Sequence, residues 1–74
     1  MGRSTFDFTV RRRGSRFADF TAEADPRDTH ELRRLLTDAI RRDGWDASRI
    51  GEFEMEVRYA GDGRVLTTFV ATDR

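Results

Sequence analysis

Cysteine and lysine do not occur among the 74 residues, and histidine and proline occur once each. Without cysteine there is no disulfide, no thiol nucleophile and no cysteine-ligated zinc site. A single histidine, His30, excludes any site that needs two imidazoles from one chain. No apolar run approaches the roughly 20 residues of a membrane span, and the N-terminal stretch lacks the apolar core of a signal peptide. A cytoplasmic protein is therefore expected. The length allows at most one domain, residues 1–74. A chain this short buries only roughly 60% of its unfolded surface, so its stability is expected to be modest unless a partner adds to it.

The absence of lysine makes every basic side chain an arginine, and the 14 arginines are balanced by 14 aspartates and glutamates. Charged residues are 38% of the chain, yet its apolar residues recur with clear periods, unlike those of disordered charged chains. Net neutrality argues against a dedicated DNA binder, which normally carries a basic surplus.

Phe6, Phe8 and Val10 alternate with Asp7, Thr9 and Arg11, the pattern of a half-buried strand. After Arg13-Gly14-Ser15, Arg16 to Ala24 reads as a second strand. A two-residue Gly14-Ser15 turn would set Val10 against Asp19 and Phe6 against Glu23. A three-residue Arg13-Gly14-Ser15 loop sets Val10 against Ala18, Phe8 against Phe20 and Phe6 against Ala22, and the hydrophobic face selects it. A helix follows from Asp28 to Asp43. Asp28 is placed as N-cap, with Glu31 three residues on in a variant of the capping box and Pro26 just before. Leu32, Leu35, Leu36, Ala39 and Ile40 form one apolar stripe. Gly44 suits the left-handed position after the helix, with Trp45 and Ile40 as the apolar pair that closes a Schellman cap. Asp46 to Gly51 is a loop pinned by Ile50.

In the third strand Phe53, Met55, Val57 and Tyr59 share the inner face. Gly61-Asp62-Gly63 then turns the chain into a fourth strand, Arg64 to Thr72. A two-residue Asp62-Gly63 turn pairs Met55 with Val70 and Tyr59 with Leu66. A three-residue loop pairs Met55 with Phe69 and Tyr59 with Val65. Both satisfy the core.

The expected fold is α+β, ββαββ, with one four-stranded sheet and a single helix packed on one face. Strand four has apolar side chains on both faces, which favours a central place and the order 2-1-4-3 over the fully antiparallel 2-1-3-4. The first is the order of β-grasp folds. Residues 6–45 resemble a ubiquitin-like chain in pattern: a hairpin, the approach Glu23-Ala24-Asp25-Pro26-Arg27-Asp28-Thr29, then the amphipathic helix. The resemblance implies topology alone. The chain ends Thr72-Asp73-Arg74 without a diglycine, so no role as a conjugated modifier is expected. The expected core is Phe6, Phe8, Val10, Phe20, Leu32, Leu35, Leu36, Ile40, Trp45, Phe53, Met55 and Val57.

Three groups of residues invite a chemical reading. Glu52, Glu54 and Glu56 share one side of a strand with Cα spacings of roughly 6.8 Å. With Asp7 they would make a Mg²⁺ or Ca²⁺ patch, but no ligand loop accompanies them. On the order 2-1-4-3 they are the charges that protect a sheet edge. Asp25, Asp28, His30 and Glu31 look like metal ligands until helical phase separates them, and acids at a helix start suit its dipole. Ser4, Ser15 and Ser48 sit in no nucleophile motif. Arg11, Arg12, Arg13 and Arg16 gather at the first hairpin tip, a candidate phosphate-backbone contact. Asp38 lies within ion-pair reach of Arg34 and Arg42 on the helix, which leaves the hairpin as the unneutralised basic patch.

Apolar residues on the outer sheet face point to a different function. In the chosen register Phe17 opposes Arg11 on that face, and either Val65 with Phe69 or Leu66 with Val70 also faces outward. Phe17, Val65 and Phe69 are taken as the partner-binding set. The expected function is a small non-catalytic accessory or adaptor protein that binds a protein partner or itself through the outer sheet face. Nucleic-acid binding through the arginine hairpin is the alternative, and a metal-assisted enzyme ranks last. No cofactor or small-molecule substrate is indicated.

Overall fold

The computed structural model describes residues 3–71. In chain order they form β1 (Ser4–Arg12), β2 (Ser15–Ala24), α1 (Thr29–Arg42), a 3₁₀ turn (Ala47–Glu52), β3 (Phe53–Tyr59) and β4 (Val65–Val70). The extension of the fourth strand to Thr72 and the terminal Thr72-Asp73-Arg74 lie outside the described residues.

One antiparallel sheet has the order β2-β1-β3-β4, which corrects the expected 2-1-4-3 with its parallel central pair. The physical reason lies on the outer face of β1 and β3. Their register sets Arg11 opposite Glu54 and Asp7 opposite Arg58, with Thr9 opposite Glu56. Opposite charges directly across a strand pair are favourable, and this complementarity outweighs the pull of β4's apolar side chains toward the centre. β2 and β3 flank β1 on either side and run the same way, so α1 crosses over β1 to connect them.

The first hairpin keeps the expected core pairs Val10–Ala18, Phe8–Phe20 and Phe6–Ala22 by a different route. Arg12 pairs with Ser15, so the turn is the two residues Arg13 and Gly14 at φ 53° and 84°. Two successive positive φ angles make the tight turn whose twist matches a hairpin. The extra residue is Phe17, at a β-bulge opposite the Val10–Arg11 step. A bulge turns its residue to the same side as its neighbour, so Phe17 joins Ala18 on the core face. The second hairpin does the same. Met55 pairs with Phe69 and Val57 with Thr67, as for the three-residue loop, while Arg58 pairs with Val65 and leaves Leu66 as the bulged residue.

Helix α1 begins where Asp28 accepts from the backbone N–H of His30 and Glu31 at 3.1 and 3.2 Å. Glu31 does not complete a capping box. It turns back to accept from the Asp25 N–H at 3.0 Å and from Arg3 at 2.7 Å. The helix ends with Gly44 at φ 88°, Gly44 N–H donating to Arg41 O at 3.0 Å and Trp45 N–H to Ile40 O at 3.1 Å. That is the double bond of a Schellman cap, as the sequence predicts. Leu32, Leu36, Ala39 and Ile40 are buried against Phe6, Phe8, Val10, Phe53, Met55 and Val57, and Leu35, Phe20 and Trp45 pack on their margin. Among the described residues no helix is long and apolar enough to cross a membrane.

Candidate interaction surface

The glutamates of β3 belong to the middle of the sheet. Glu56 accepts from Arg58 at 3.0 Å and lies 3.5 Å from Arg11. Glu52 is the last residue of the 3₁₀ turn, where it accepts from Arg12 Nη2 at 2.6 Å and from Arg49. Those two guanidiniums lie 4.7 and 5.1 Å from the centroid of Trp45, so Glu52 is clamped over an aromatic ring. Hydrogen bonds from Arg49 and then Arg12 lower its carboxyl from 4.5 to about 2. The expectation that these acids guard a sheet edge is thus corrected: β3 is an inner strand, and Glu52 and Glu56 are paired with arginines.

The same pairs change the hairpin patch. Arg11 and Arg12 are held by Glu56 and Glu52, and Arg16 by Asp19 at 3.1 Å. Among the described residues, Arg13 alone of the four makes no ion pair. At the helix start Asp28 caps the backbone, Asp25 accepts from Arg27 N–H and Glu31 serves Arg3, while His30 points to solvent. Among the described residues no three His, Asp or Glu side chains are grouped to hold a metal ion.

Phe17 leaves the outer face altogether. It packs edge-on against Phe53 at 4.9 Å and Trp45 at 6.2 Å, and Trp45 lies 5.3 Å from Phe53, closing one end of the core. Phe69 faces inward beside Met55 and is half-buried on the core margin. Val65 does face outward, opposite Arg58. Of the predicted set Val65 alone faces outward, and Val70, from the other alternative pair, shares its face because the bulge at Leu66 breaks the alternation between them.

Among the described residues strand β4 is consequently an open edge. It carries no charged residue, and Val65, Leu66 and Val70 are 52%, 37% and 51% exposed. Tyr59 N–H donates to Arg64 O at 2.9 Å, so alternation along β3 aims the backbone of Val57 and Met55 at β4. Thr67 and Phe69 answer them, and the backbone N–H and C=O of Thr68 and Val70 point away from the sheet. Two shallow grooves flank the strand on the helix side. One of about 550 Å³ lies between Leu66, Thr67, Tyr59, Pro26 and Arg27, and one of about 330 Å³ between Phe69, Val70, His30 and Arg33. The opposite edge is guarded by charge: β2 exposes Arg16, Asp19 and Glu23.

Neither a family model, nor a curated protein sequence, nor a solved structure matches this chain.

Proposed function

We propose that this chain is a non-catalytic interaction module, an accessory or adaptor protein that receives a protein partner on strand β4. The observation that carries the reading is the contrast between the two edges of one sheet. Both edge strands carry a bulge, but β2 exposes charges that deter strand addition, whereas β4 has no charged residue and exposes Val65, Leu66 and Val70. A partner that adds a strand satisfies Thr68 and Val70 and covers those side chains at the same time. Elsewhere on the sheet Glu56 is paired with Arg11 and Arg58, and Glu52 with Arg12, which supports a structural role for these groups. Nucleic-acid contact through Arg11, Arg12, Arg13 and Arg16 draws support from Arg13 alone.

Affinity capture from the native host tests the reading with three baits: the parent, Val70→Lys on β4 and Thr21→Lys on β2. A partner retained by the parent and Thr21→Lys but lost from Val70→Lys is expected. Equal capture by both variants sinks it.

A further inference from the structure

We propose that the partner on β4 is a second copy of this chain, joined by antiparallel pairing of the two β4 strands about a two-fold axis at Thr68. This rests on β4 being the docking strand and names its occupant. The backbone geometry suits self-pairing. Thr68 points its N–H and C=O outward, so on the axis it exchanges both bonds with Thr68 of the other copy. Phe69 then stands opposite Thr67, both on the helix side.

Charge selects the same occupant and the same orientation. Across a two-fold axis every residue near the axis meets its own kind, so a charged strand repels itself. Val65-Leu66-Thr67-Thr68-Phe69-Val70 bears no charge, and the whole chain has a formal charge of zero. On the outer face Glu54 flanks Val70 and Arg58 flanks Val65. Antiparallel pairing turns the acidic end of each sheet toward the basic end of the other, whereas parallel pairing would align like with like. Closure follows from the guarded edge. With one open edge per copy the isologous contact makes a single eight-stranded sheet whose two outer strands are both β2, and association stops at two.

The cysteine-free sequence makes the register directly testable. Directly opposed residues of a hydrogen-bonded antiparallel pair have Cα atoms about 5.5 Å apart, within reach of a short bifunctional thiol cross-linker. Such a cross-linker should join Thr68→Cys into a covalent dimer, and Thr21→Cys on β2 far less. Light scattering should find the parent at twice the chain mass at micromolar concentration, and Val70→Lys at the single chain mass with an unchanged far-UV spectrum. A parent that stays at one chain mass to millimolar concentration, or cross-linking at Thr21 as readily as at Thr68, overturns self-pairing. A monomeric parent whose capture of another protein still depends on Val70 would mean that a different chain occupies β4. Self-pairing would then fall and the docking reading would stand. Loss of both effects removes both.

Discussion

Glu52 ties the first hairpin, the 3₁₀ turn and Trp45 together through Arg12 and Arg49. Its carboxyl is held at about 2 in the folded chain against an ordinary value of 4.5. The unfolded chain therefore binds this proton more readily. The stabilisation from Glu52 is fully present above about 4.5 and is lost as pH falls through about 2, and Glu31 and Asp46, also lowered, act in the same direction. Melting temperature should fall between about pH 5 and pH 2, and Glu52→Gln should melt lower at neutral pH with a shallower acid slope. An acid slope as steep as the parent's would show that Glu52 is not its source. In the core, Phe8 is 1% exposed and stacks on Phe20 at 4.9 Å. Phe8→Ala should cost about 3–5 kcal/mol, comparable with the whole stability of a domain this small. Far-UV dichroism at room temperature should find it largely unfolded. Phe8, Phe20 and their neighbours were legible in the sequence because strand alternation assigns a face. The clamp on Glu52 was not, since Arg12 and Glu52 lie 40 residues apart.

At the scale of elements, the bounds of α1 were readable because their signals are local, although Glu31 serves Asp25 and Arg3 instead of a capping box. Asp28 and Gly44 sit where the apolar stripe starts and stops, and both do what their chemistry suggests. Asp28→Ala should cost about 1 kcal/mol, and Gly44→Ala, which forces a Cβ into the left-handed region, about 1–2 kcal/mol. Urea unfolding measures both. The hairpins were half legible. Face matching reports that one strand has a residue in excess, and it says nothing about where that residue sits. In the first hairpin the excess is Phe17 and not a turn residue, because Arg13 accepts φ 53° and lets the turn close in two. Arg13→Gly should therefore raise stability, by about 1 kcal/mol. A loss would mean that the arginine side chain supports the turn.

For the whole molecule, the order of the strands was the step that the apolar pattern misjudged. Both faces of β4 are apolar in sequence, which argues for a central strand, yet the strand lies at an edge. The deciding signal was present in Asp7, Thr9 and Arg11 against Glu54, Glu56 and Arg58, which read as complements only when the two strands are set antiparallel. Apolar faces say what must be covered, and charges across a ladder say by whom. Glu56→Arg would place a third cation between Arg11 and Arg58. Its destabilisation should be about 1 kcal/mol and should shrink as salt screens the repulsion. Thermal melts of parent and variant across a salt series measure the difference, and a deficit independent of salt would point to packing instead.

The seam between β1 and β3 also has a history within each act of folding. Either hairpin closes through neighbouring residues, but the seam unites stretches 40 residues apart at Arg12 and Glu52, and such closure comes late. Until the seam closes, the edge of β1 that receives β3 is unpaired. Asp7 and Arg11 make it a poor match for apolar strangers in that interval. When β3 arrives, Arg58 and Glu54 answer them, so the charges that kept the early chain solitary become the ones that admit its rightful neighbour.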